Sequence, residues 1–200
     1  MDIQSAVNRL NSQLPLKARQ DKLPVVLKTL HKTVLTSLVK QGRPPTADEL
    51  KMNLGAENIR GSLQRLGTDD LIVLDAEGKY PVGAYPVTSE TTTHKIFVNG
   101  HTIHAMCALD ALSVAPMFDA EVVIESSCRV SESAITIQMR GSKILEVQPS
   151  EDAVMVGVRW QMPLGVAAHS MCMDMVFLKD RPTAMTWQNN DSENTSIHTI

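Results

Sequence analysis

The hydrophobic pattern of this chain changes period near residue 87, and that change constrains the fold more than any other feature. Before it, apolar residues recur every three or four positions: Ile3, Val7, Leu10 and Leu14, then Leu27, Leu30, Val34 and Leu38, then Ile59, Leu63 and Leu66. Such spacing lines one face of a helix. Local punctuation agrees. Pro24 suits the opening of the second helix and "GRPP" its end. "TADE" is a capping box, with Thr46 as cap and Glu49 reaching back. A turn is expected near Gly55, and Gly67 closes a further helix. "LIVLDAEGKYPVGAYPV" then reads as two strands around a glycine-containing turn. Helix, short helix, helix and hairpin make a winged-helix-like order.

After residue 87 the runs are short and strand-like. "HKIFV-NG-HTIH" is a hairpin signal, because Asn-Gly suits a type I′ turn. "CALDALSVAP" is expected to form a short helix ended by Pro116. "EVVIESS", "AITIQM", "KILEV", "AVMVGVRW" and "SMCMDMVFL" follow as strands, and "RPTAMTW" as a final helical turn. The predicted class is therefore α+β. A helical, winged-helix-like module spans residues 1–87, and a mixed-sheet, mostly antiparallel domain with one short helix spans 88–200. "PVTSETTTH" lies at the boundary.

Two hundred residues suffice for a substantial core. The net charge of −3 suggests neither nucleic acid nor an anionic membrane. Residues 1–43 are locally basic, with eight Lys/Arg against two Asp. Even so, the helix that would read DNA carries only Arg60 and Arg65 and is followed by "TDD", too little positive charge for a major-groove helix. The N-terminus is polar and amphipathic, without a signal-peptide pattern, and no apolar run approaches a membrane span. Three cysteines do not suggest a disulfide framework. The expectation is a soluble cytoplasmic protein with reduced thiols.

Chemistry concentrates in "HTIHAMCALDALSVAP". Asp110 follows Cys107 by three positions, so on a helix the two side chains share a face. Cys107 falls at the helix start, where partial positive charge favours thiolate. Equally, a buried cysteine often serves as a small hydrophobe, and an aspartate in a first turn complements the helix dipole. Cys172 lies in a Met-, Phe- and Val-rich strand, and a soft metal would use it if Cys107 were near. Zinc is disfavoured, since no closely spaced ligand pair is present. His94, His101 and His104 are expected on the surface and not as ligands. Cys128, at a strand end before a polar turn, is expected to be structural.

"AMCALDAL" closely resembles the signature of the organomercurial lyase (alkylmercury lyase) family. "SSCRVSESAITIQM" and "HSMCMDMVFL" resemble its next two cysteine-bearing segments, in the same order. The resemblance is strongest from about residue 94 to 187. It implies that Cys107 and Cys172 are mercury-binding thiols, that Asp110 is the third catalytic residue and a further mercury ligand candidate, that the short helix is catalytic, and that Cys128 is structural. The implied reaction is protonolysis of a carbon–mercury bond, giving a hydrocarbon and Hg(II). Hg(II) would then pass to small thiols or to mercuric reductase. No cofactor is implied, because the metal enters with the substrate; nor is a nucleic-acid or membrane partner, and a monomer is expected. Two departures stand out. Met106 occupies a position that is commonly aromatic. Family members also continue past the point matching "NTSIHTI" into a further helical segment, which implies a short member or a trimmed C-terminus. Two other readings remain at this stage: a thiol-based mercury-binding or transfer protein, and a metal-responsive winged-helix regulator.

Overall fold

The computed structural model describes residues 2–54, 58–189 and 191–200. The turn expected near Gly55 lies outside them. Five helices come first: α1 (Ile3–Gln13), α2 (Leu16–Asp21), α3 (Val25–Gln41), α4 (Ala47–Leu54) and α5 (Ile59–Thr68). Strands β1 (Ile72–Leu74), β2 (Pro81–Ala84), β3 (Val87–Thr88), β4 (His94–Val98) and β5 (His101–Ala105) precede α6 (Ala108–Phe118). Next come β6 (Glu121–Ser127), β7 (Ala134–Arg140), β8 (Lys143–Gln148) and β9 (Met155–Arg159). Two 3-10 turns, Ala167–His169 and Met171–Asp174, lead into β10 (Met175–Leu178), α7 (Arg181–Gln188) and β11 (Thr195–Thr199).

An eight-stranded sheet runs β1-β2-β3-β5-β4-β6-β7-β8, and a second sheet runs β10-β9-β11. Every pairing among the described residues is antiparallel, so the expected mixed sheet is an antiparallel one. The large sheet continues across residue 87, because β3 pairs with β2 on one side and β5 on the other.

Local chemistry explains most elements. Thr46 and Glu49 form the reciprocal capping box, with the Thr46 amide donating to Glu49 Oε2 (2.7 Å) and the Glu49 amide to Thr46 Oγ1 (3.2 Å). Asn99 and Gly100 both take positive φ, 52° and 77°, the type I′ geometry that joins β4 to β5 without splaying them. Register then lines up Ile103, Ile96, Ile124 and Ile137 across four adjacent strands. All four are buried, and they form the row on which α6 packs. Fully burying such side chains stabilises by about 1.5–3 kcal/mol each. Helix α3 buries Leu30, Val34 and Leu38 and packs on β2, β3 and β5.

Several expectations are corrected. Ile3 and Val7 are exposed, and α1 packs on the protein through Ala6 and Leu10. The short α2 was not foreseen. Pro116 does not end α6: the helix runs on to Phe118, because the Asp119 amide still reaches the Ala115 carbonyl and Asp119 closes the helix in the left-handed region. "RPTAMTW" forms a two-turn helix, fixed by an Asp180–Thr183 capping box. "NTSIHTI" contains β11, paired to β9 in register. Only the end of "SMCMDMVFL" is strand. The preceding residues are 3-10 turns, where Ser170 Oγ accepts from the Leu164 amide and donates to the Val166 carbonyl, a local alternative to a ladder.

Candidate active site

Cys107 is the N-cap of α6. Its backbone is extended, its carbonyl accepts the Ala111 amide (2.9 Å), and its sulfur accepts the Asp110 amide (3.3 Å). The capping bond and the three-residue spacing bring the Asp110 carboxylate back over the sulfur, so that the Cys107 thiol donates to Asp110 Oδ2 at 3.0 Å. Cys172 arrives from the second 3-10 turn, with Sγ 4.0 Å from the same Oδ2. The two sulfurs and a carboxylate oxygen all lie within 4.8 Å of one another. Met175, at the start of β10, places its thioether sulfur 3.8 Å from Cys107 Sγ.

Electrostatics fit a proton-holding pair. Burial is the main cause that lifts Asp110 from an ordinary 3.8 to about 7, opposed by the bond from the Cys107 thiol. Burial also pushes the Cys107 thiol well above its usual value, helped by the bond with Cys172 and the negative charge of Asp110. The helix N-terminus was expected to favour thiolate. Its amide does act in that direction, but desolvation of a sulfur only 1 % exposed outweighs it, so the resting sulfur keeps its proton.

A cavity of about 280 Å³ opens on these three side chains. Leu10, Leu14 and Leu16 of the N-terminal helices line it beside Leu109, Met175 and Tyr85. Arg9 stacks over the Trp160 ring (5.1 Å), tying α1 to the segment after β9.

Sequence reasoning missed the residues that hold Cys172 in place. The Tyr85 hydroxyl donates to Asp70 Oδ1 (3.0 Å) and accepts from the Ala168 amide (2.9 Å). Asp70 Oδ2 accepts from the Ala167 amide (3.2 Å), and Arg19 stands 3.7 Å away. Burial raises the pKa of both Asp70 and Tyr85. This network pins the first 3-10 turn, three residues before Cys172. No motif could have signalled it, since Asp70 and Ala167 are 97 positions apart.

Cys128 is not part of the cluster. It follows β6 and is buried, with its amide donating to the Ser133 carbonyl (2.9 Å). Burial raises its pKa, but bonds from the Ser131 hydroxyl and the amides of Ser131, Val130 and Lys179 outweigh that and bring it to about 7. Of the three hairpin histidines, His101 is exposed and His104 half-buried, whereas His94 is buried, contrary to expectation. Its place on the inward row of β4 sets it edge-on to Phe177 (5.5 Å) and against Ser126 Oγ (2.9 Å). Burial, Arg129 and His104 push its pKa to about 4.

Two buried thiols converging on a carboxyl group, carried by an α+β scaffold of antiparallel sheets, are a donor set that a soft metal would take, with an acid beside it. The comparisons with known proteins give that class a family. The alkylmercury lyase (MerB) family pattern matches residues 87–200, and the chain belongs to this family. The alkylmercury lyase of Staphylococcus epidermidis is 24% identical over 165 residues, covering 82% of this chain and 73% of that protein. The alkylmercury lyase of Bacillus cereus is 27% identical over 157 residues, covering 78% and 67%. A crystal structure of the mercury-bound form of MerB2 superimposes with a TM-score of 0.77 at 22% identity, covering 94% of this chain and 92% of that one, and so shares its fold.

Proposed function

We propose that this protein is an alkylmercury lyase that cleaves carbon–mercury bonds by protonolysis, with Cys107 and Cys172 as mercury ligands and Asp110 as proton donor. The observation that carries the reading is the convergence of both sulfurs and the carboxylate within 4.8 Å in one cavity.

The geometry supports the following steps. As the mercury of R–Hg–X binds Cys107, its thiol proton passes along the existing 3.0 Å contact to Asp110. Thiolate is the softest common protein donor, so mercury replaces the proton readily. Cys172 then adds to the same mercury, losing its own proton to the departing X⁻. Two thiolates raise electron density at mercury and weaken the Hg–C bond. The carbon then takes this same proton from Asp110, whose pKa, raised by burial to about 7, lets the carboxyl accept it from the thiol and give it up again near neutrality. The balance is R–Hg–X plus two thiols giving R–H, HX and Hg(II) held by both sulfurs. No oxidant, reductant or cofactor enters, because the metal is part of the substrate.

Residues 88–200 carry the chemistry in this reading, and residues 1–87 supply part of the cavity wall, with Leu10, Leu14 and Leu16 as its apolar portion. The order α3, α4, α5 and the β1–β2 hairpin supports a winged-helix-like module in that structural role. Cys128 is structural. We further propose that the protein acts as a monomer in the cytoplasm and passes Hg(II) to small thiols or to mercuric reductase. The unpaired state of all three cysteines supports a reducing setting, and among the described residues no helix is long and apolar enough to cross a membrane.

The test is direct: incubate the protein with phenylmercury and excess thiol and look for benzene in the headspace. Benzene at more than one equivalent per protein is expected. Stoichiometric capture of phenylmercury without benzene would make this a mercury-binding protein instead.

A further inference from the structure

A second, larger cavity of about 740 Å³ meets the site from another side. Cys172 lines both cavities, whereas Cys107 and Asp110 line only the smaller one. The two spaces differ in chemistry. The smaller sets Leu10, Leu14, Leu16, Leu109 and Met175 around the thiols, with Asn11, Lys17 and Gln20 also on its wall, and offers apolar contact to a hydrocarbon group. The larger is bordered by Arg129, Glu132, Glu90 and His169, beside Thr91–Thr93. Glu90 is occupied by His169 (3.1 Å). Among the described residues, Arg129 and Glu132 make no side-chain ion pair, and both are exposed. An unpaired cation and an unpaired anion on the rim of one cavity match a ligand that carries both charges.

We propose that the larger cavity is the port through which a small zwitterionic thiol takes Hg(II) from Cys172, with Arg129 holding the thiol's carboxylate. This rests on the lyase reading only for the supply of Hg(II). The incoming sulfur approaches Cys172 from the side away from Asp110, so the acceptor does not compete with the organic group for the smaller cavity. The exchange is a ligand substitution without redox change. The acceptor's thiolate bonds to mercury, the Cys172–Hg bond breaks, and Cys172 takes up the proton the acceptor gave up. A second acceptor displaces Cys107 in the same way, giving Hg(SR)₂ and two protein thiols. A volume of about 740 Å³ accommodates a tripeptide-sized thiol.

The test starts from protein loaded with one equivalent of mercuric chloride, so it needs no lyase turnover. Mercury transferred to glutathione, which bears carboxylates and an ammonium group, is compared with mercury transferred to neutral 2-mercaptoethanol, by rapid desalting and metal analysis. Arg129→Gln is expected to slow transfer to glutathione about five- to tenfold, the loss of one charge-assisted contact at an exposed site, and to leave transfer to 2-mercaptoethanol unchanged. Thr91→Trp, which narrows the same cavity from an exposed position, is expected to slow transfer to both. Equal rates for wild type and both variants, or equal slowing of both thiols by Arg129→Gln, would overturn the port. Benzene release from phenylmercury in a single turnover is measured beside it. Its absence in wild type would refute the lyase reading while leaving the thiol comparison intact.

Discussion

Replacing Asp110 by Asn separates catalysis from stability in opposite directions. The substitution keeps size and a hydrogen-bond donor but cannot act as an acid near neutral pH. Loss of a positioned general acid costs about 10²- to 10⁴-fold, or roughly 3–5 kcal/mol of barrier. The two thiols remain, so phenylmercury binds at one equivalent and stays bound with little benzene released. Stability moves the other way. Burial lifts this carboxyl from 3.8 to about 7, a penalty of about 4 kcal/mol on its ionised form. Because the folded pKa is the higher one, the associated stability is complete below pH 3.8 and is lost as pH rises through 7. Asp110→Asn has no such loss. Against this stands about 1 kcal/mol for a carboxylate in the first turn of α6. At pH 8 the variant should therefore exceed wild type by roughly 2–3 kcal/mol, and the gap should close towards pH 4. Urea unfolding at pH 4, 6 and 8, beside a binding titration and headspace analysis of the same preparation, measures all three quantities. Benzene release near the wild-type rate would remove Asp110 from the mechanism. A variant less stable than wild type at pH 8 would refute the buried-acid argument.

Cys107→Ser and Cys172→Ser should each abolish benzene release while far-UV circular dichroism stays unchanged; serine is itself a preferred N-cap, so the start of α6 survives the first change. Cys128→Ser should lower stability more than it lowers the rate per folded molecule. Because the folded pKa of Cys128 is depressed from 9 to about 7, its contribution is full above pH 9 and lost as pH falls through 7, so the destabilisation should be larger at pH 8.5 than at pH 6 in urea unfolding. A folded Cys128→Ser variant without turnover would contradict the structural role. Tyr85→Phe strands the buried Ala168 amide and frees Asp70 of a donor. It should cost about 1–3 kcal/mol of stability and slow benzene release by loosening the turn before Cys172, whereas unchanged stability and rate would show that the network holds nothing in place.

The sequence by itself determined the elements whose causes are local. The Thr46–Glu49 box, the Asn99–Gly100 turn and the Pro24 opening are set by residues within a few positions of one another, and each formed where expected. It also brought two of the three candidate residues together: Cys107 caps the helix that carries Asp110 three positions on, and that spacing with the capping bond sets their contact. Only the tertiary structure decided the rest. Cys172 reaches Asp110 from 62 positions away, delivered by a 3-10 turn where a strand was expected, and that turn is held by Asp70 and Tyr85. The protonation of Cys107 was decided there too, because a helix N-terminus is visible in sequence and the desolvation that overrides it is not. Burial depends on what packs over a residue. The same fact moved His94 inside, left Ile3 outside and set Asp110 near neutrality. Spacing fixes which groups can meet along one element, while packing across elements fixes how dry the meeting place is, and with it where the proton rests.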